Sequence, residues 1–158
     1  MARIFITGGT GCIGAVTIKR LLKSNVERLL IATRSSDTKL INMWMGPELD
    51  PRIEFAAADI GDTNSITKLL DDFAPTHIIH LGALQSPDCD ANPEKGMVIN
   101  AGGTLNLFHA ARNLATPLER FVFASSAAVY GKRAIYPDAT VPESATLAPP
   151  NLYGVWKV

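Results

Sequence analysis

The sequence predicts an α/β fold, a doubly wound parallel sheet of five strands in the order 3-2-1-4-5. Short, nearly continuous apolar runs recur along the chain, as in parallel strands covered on both faces. Longer amphipathic stretches lie between them, and strands alternating with helices through right-handed crossovers build such a sheet. The 158 residues, 47% of them hydrophobic, are enough to bury the core of one domain spanning 1–158.

The first apolar run is Ile4-Phe5-Ile6. After a glycine-rich turn, Ile13 to Lys23 reads as a helix with Val16, Leu21 and Leu22 inward and Lys19, Arg20 and Lys23 toward solvent. Leu29 to Ala32 is the second strand and Ile53 to Ala56 the third. Between these two, Asn42 to Pro47 is apolar without a clear period and reads as packed core. Asn64 to Phe73 repeats Ile66, Leu69, Leu70 and Phe73 at helical spacing. His77 to Leu81 is the fourth strand, and Met97 to Leu114 is a longer helix with Leu105, Phe108 and Ala111 as its apolar stripe. Phe121 to Ala124 is the fifth strand, and Tyr136 to Pro150, with four prolines, reads as a loop wrapping the domain.

Composition narrows the function. Fifteen basic residues balance fifteen acidic ones, so no overall field favours nucleic acid or an anionic membrane. Cys12 and Cys89 are too few for a disulfide framework, and Cys12 reads as a small residue in a tight space. His77, His80 and His109 lack metal-type spacing with acidic partners, so no metal site is expected. No leader-like segment precedes the first strand, and no run approaches the roughly 18 apolar residues of a membrane span. A cytoplasmic protein is expected.

The strongest local signal is Thr7-Gly8-Gly9-Thr10-Gly11-Cys12-Ile13-Gly14, which joins a strand to a helix. In a dinucleotide-binding turn, the first glycine permits the tight bend and the middle one lets a pyrophosphate approach the backbone. The last allows close packing of the helix on the sheet. Free amides at the helix start, at Cys12, Ile13 and Gly14, and the helix dipole favour the phosphates. At the end of the second strand a carboxylate would bind a ribose 2′-hydroxyl, but the sequence has Ala32-Thr33-Arg34-Ser35-Ser36. An arginine there suits a 2′-phosphate, so NADP is expected over NAD.

Later segments join this turn in order: Asp59-Ile60, His80-Leu81-Gly82-Ala83, Asn100-Ala101-Gly102-Gly103-Thr104, Ser125 to Gly131, and Tyr153-Gly154-Val155-Trp156-Lys157. Together they resemble the extended short-chain dehydrogenase/reductase family, of the sugar-nucleotide epimerase/dehydratase type and most like its 4-epimerases. The resemblance implies that Asp59 and Ile60 meet the adenine, and that Leu81, Gly82 and Ala83 lie against the ribose and pyrophosphate. It places Asn100 in the family's Asn-x-x-Gly-Thr helix at the cofactor, whereas His80 reads as a polar strand end and not a catalyst. It implies Tyr153 as acid/base, Lys157 as its tuner and a ribose ligand, and Ser126 as holder of the substrate oxygen.

Family dehydratases carry an Asp-Glu pair where this chain has Ala127 and Ala128, which argues against 4,6-dehydration. Epimerase and dehydrogenase or reductase both remain, acting on a small molecule or nucleotide sugar. Family members continue past the Tyr-x-x-x-Lys helix into a substrate-binding region. The resemblance therefore implies a cofactor domain, and a binding module without turnover of its own is the alternative. It also implies a homodimer of the complete protein, paired through the region of helix 97–114.

Overall fold

A computed structural model describes residues 1–34 and 39–158. Five parallel strands form one sheet: β1 (Ala2–Thr7), β2 (Val26–Thr33), β3 (Ile53–Ala57), β4 (His77–His80) and β5 (Arg120–Phe123). Their order is β3-β2-β1-β4-β5, as expected from the sequence. The helices are α1 (Cys12–Leu21), α2 (Lys39–Met45), α3 (Thr63–Phe73), α4 (Ser86–Ala91), α5 (Pro93–Gly96), α6 (Gly103–Arg112) and α7 (Leu152–Val155). A π-helical turn, Met97–Gly102, joins α5 to α6.

The pleat of the central strands explains the continuous apolar runs. Successive side chains point to opposite faces. Phe5 and Leu30 therefore pack with Ile66, Leu70, Phe73 and Leu107 from α3 and α6. Ile4, Ile6, Leu29 and Ile31 pack on the other face with Ile18 of α1 and Ile41 of α2. Each such side chain, fully buried, contributes roughly 1.5–3 kcal/mol. Helix α3 starts at Asp62, whose carboxylate accepts from the amides of Asn64 and Ser65, a cap that fixes where the chain turns back. Tyr136 to Pro150 is irregular apart from turns, and the Tyr136 hydroxyl inside it donates to the carbonyl of Thr146 at 2.9 Å.

Four expectations are corrected. Coverage on both faces holds for β1, β2 and β4 but not for the outer strands: the residues of β3 are at most half-buried and Val122 of β5 is exposed, because each strand is a sheet edge. Val16 is exposed, and α1 instead turns Gly14, Ala15 and Ile18 to the sheet. On α6 the core face is Gly103, Leu107 and Ala110, whereas Leu105 and Phe108 are about half exposed. The π turn alters the helical phase just before α6, so a stripe projected over one continuous helix misplaces that face. Finally, the 42–47 stretch is not uniformly core: Met43 is 72% exposed and Trp44 is exposed, and Ile41 is the buried residue of α2.

Candidate functional site

The carboxyl ends of the strands converge on one cavity of about 270 Å³. In an open parallel sheet this is where ligands bind, because strand order reverses there and leaves a crevice. Gly8 follows β1 and has φ +70°, a left-handed conformation that disfavours any side chain. A Cβ on Gly8 would also stand 2.7 Å from the amide nitrogen of Gly82, after β4. At Gly14 a Cβ would lie 2.4 Å from the Gly8 carbonyl oxygen, so α1 seats on the turn only through this glycine. Gly11 differs: a Cβ there would meet only the Gly8 oxygen, at 3.5 Å. That leaves open room above the backbone, and α1 begins with no side-chain cap on its first amides.

The cavity is lined by Gly8 and Gly11 from the turn, Arg34 after β2, Asp59 and Ile60 after β3, and Leu81, Gly82 and Ala83 after β4. Sequence reasoning missed Thr7, Thr10, Leu84, Gln85 and Ile99, which also line it. Thr7 had a legible signal, a hydroxyl ending an apolar strand. The Asp59 carboxylate accepts from the Gly61 amide at 2.8 Å. Arg34 is exposed at the rim, while Ser35 and Ser36 lie outside the described residues.

Cys12, Ile13, Gly14 and Asn100 do not line the cavity. Cys12 is exposed, not confined as expected, because it opens the first turn of α1. Asn100, buried in the π turn, accepts from the Leu84 amide at 2.8 Å and donates to the Leu84 carbonyl at 3.0 Å. Its carboxamide thus holds the cavity wall from behind.

His80 is 1% exposed and sits in a directional chain of hydrogen bonds. The Gly82 amide donates to Thr7 Oγ1 at 3.0 Å, and that hydroxyl lies 2.6 Å from His80 Nδ1. On the other side, Thr104 Oγ1 donates to the Asn100 carbonyl at 2.6 Å, so its oxygen accepts from His80 Nε2, 3.0 Å away. Every hydrogen is placed if His80 is neutral and protonated on Nε2; a second proton would leave the Thr7 hydroxyl without an acceptor. Burial, followed by the charge of Lys157, lowers the His80 pKa to about 4.

The candidate catalytic residues gather beside β5. Ser126 caps a 3₁₀ turn, Ala127–Val129, its Oγ accepting from the Ala128 amide at 3.1 Å. Helix α7 packs on this turn, and the neighbouring Ser125 hydroxyl donates to the Lys157 carbonyl at 2.7 Å. Tyr153 packs, half-buried, against Leu84, Cys89 and Ile99. Four residues apart, Tyr153 and Lys157 would share one face of a regular helix. Regular α7 ends at Val155, and the Lys157 amide donates to the Gly154 carbonyl in a tighter closing turn. Lys157 is 3% exposed, and its ammonium lies 4.3 Å from the centre of the Phe123 ring. Burial lowers its pKa below the ordinary lysine value. Among the described residues no hydrogen bond joins Ser126, Tyr153 and Lys157 side chains.

A parallel sheet in this order, with a glycine turn at its crossover point, defines an α/β domain of the Rossmann type. The family model described as GDP-mannose 4,6 dehydratase matches residues 5–158, and the chain belongs to that family. The chain is 29% identical over 160 residues to a bifunctional UDP-glucose 4-epimerase and UDP-xylose 4-epimerase of Arabidopsis thaliana, covering 98% of this chain and 44% of that protein. Among solved structures, the UDP-Glc/GlcNAc 4-epimerase of Campylobacter jejuni superposes with a TM-score of 0.84 at 27% identity, over 99% of this chain and 46% of the other. The Bordetella bronchiseptica enzyme WbmG, solved with NAD and UDP, superposes at 0.80 with 25% identity and the same coverage. The chain thus spans less than half the length of these relatives. No helix among the described residues is long and apolar enough to cross a membrane.

Proposed function

We propose that this chain is the cofactor-binding part of a nicotinamide-dependent enzyme that moves hydride to and from a hydroxyl-bearing carbon of a nucleotide sugar. The observation that carries the reading is the cavity at the glycine turn, whose lining residues Leu84 and Ile99 belong to the cluster against which Tyr153 packs. Gly8, Gly11 and the first amides of α1, at Cys12, Ile13 and Gly14, would take the pyrophosphate. Asp59 and Ile60 would meet the adenine, and Leu81 to Ala83 the ribose and pyrophosphate, with Asn100 holding that wall in place. The nicotinamide, when bound, supplies reversible hydride transfer.

The chain's own residues manage the proton. A tyrosine with an unperturbed pKa near 10 is a poor base at neutral pH. The Lys157 ammonium favours the phenolate of Tyr153, which takes the proton of the substrate hydroxyl or returns it. Ser126 uses its hydroxyl hydrogen, free of the Ala128 contact, to hold the same oxygen. Ala127 and Ala128 offer no acid or base, so epimerisation or simple oxidoreduction is proposed and 4,6-dehydration is not.

The cofactor proposed is NADP, because the end of β2 offers Arg34 and no carboxylate at the positions described. Solved relatives carry NAD, which makes the comparison of the two cofactors informative. A second reading is a module that binds cofactor without turnover of its own. Hydride exchange with UDP-glucose separates the two readings. The enzyme reading expects exchange that Tyr153→Phe abolishes while cofactor affinity stays within about twofold. Exchange surviving in Tyr153→Phe contradicts the role of the tyrosine.

A further inference from the structure

Beside the cavity at the glycine turn lies a second hollow of about 350 Å³, and Arg34 and Leu84 line both. Its remaining wall comes from α4 and α5, through Asp88, Asn92 and Lys95 among others. Arg34 and Lys95 are both exposed, and among the described residues neither head group is taken up by an ion pair. The Asn92 carboxamide oxygen is occupied, accepting from the Lys95 amide at 3.0 Å, which fixes the first turn of α5 and the root of the Lys95 side chain. Among the described residues Asp88 is the one carboxylate on the lining of this hollow.

We propose that Arg34 and Lys95 form a two-cation receptor for a phosphate monoester on the adenosine ribose, which makes Lys95 a specificity-determining residue for the cofactor. This rests on the NADP preference proposed above and adds its second contact. A phosphate monoester near neutral pH carries roughly −1.5 to −2 charges, more than one guanidinium can balance. Arg34 supplies a planar fork from the sheet, and Lys95 a mobile point charge from the helical side of the hollow. A cofactor bearing a 2′-hydroxyl places no charge there and has no use for Lys95. Asp88 opposes the anion.

Calorimetric titration of the 158-residue chain tests this with NADP, NAD, 2′,5′-ADP, 5′-AMP and UDP. Lys95→Ala weakens NADP and 2′,5′-ADP about three- to tenfold and leaves NAD and 5′-AMP within twofold. Lys95→Arg restores the NADP affinity, and Asp88→Asn tightens it. Both cationic contributions shrink as salt rises, because the hollow is open to solvent. If the wild-type chain binds NADP no tighter than NAD, the cofactor reading itself fails and this receptor with it. If NADP is preferred but Lys95→Ala leaves the ratio unchanged, only the receptor is overturned. Equal weakening of UDP and NADP by Lys95→Ala also overturns it, since the cations then serve any nucleotide phosphate.

Discussion

The His80 imidazole shows how a single buried polar group shapes the site. Its two partners, Thr7 and Thr104, lie at the end of β1 and the start of α6, so the ring ties the sheet to the helix that follows the π turn. The sequence identifies His80 as a polar strand end, but its partners stand 73 and 24 residues away. No local pattern announces such pairings. Folding keeps the ring neutral down to about pH 4, whereas an unfolded histidine titrates near 6.5. Above 6.5 both states are neutral and nothing is lost. As pH falls through 6.5 the unfolded state takes up a proton that the folded state refuses, and stability declines until about pH 4. Urea melts at pH 7 and pH 5 should show a loss of about 2 kcal/mol from this residue, removed in His80→Gln. An identical pH dependence in both proteins contradicts the neutral, buried assignment.

At the scale of elements, the glycine turn separates seating from binding. Gly14 sits in backbone contact with Gly8 and Gly9, whereas Gly11 faces open space. Gly14→Ala therefore pushes α1 off the sheet and should cost about 2 kcal/mol or more in a denaturant melt. Gly11→Ala has an ordinary φ of −77° and should leave stability within about 0.5 kcal/mol while weakening cofactor binding at least tenfold. Equal effects of the two on stability would contradict this division. Strands, their order and the glycine turn were legible because period, turn chemistry and crossover handedness are local or nearly local. The core faces of α1 and α6 were not, since Val16, Leu105 and Phe108 are apolar side chains that the described residues leave exposed. Hydrophobicity alone does not say which of two apolar stripes meets the sheet. The phase of α6 further depends on the π turn around Asn100, which holds Leu84 in place.

For the whole molecule, cavity and catalytic cluster stand differently. The cavity is assembled from four adjacent strand ends, Thr7, Thr33, the residues after Ala57, and those after His80, from β1 to β4. The catalytic candidates hang from the edge strand β5 and from a helix of four residues, held by the Ser125–Lys157 hydrogen bond and the Phe123 ring. A helix that short owes its order to packing and not to its own propensity. Motif order in the sequence revealed which residues gather there, but not that Phe123 and Ser125 hold them. Cofactor binding is accordingly the activity most directly seated in these residues. Titration of the 158-residue chain with NADP and with NAD tests this most directly. The account predicts saturable binding of one cofactor per chain, tighter for NADP, and lost in Gly11→Ala with the fold intact. No binding of either cofactor by a folded chain would contradict it.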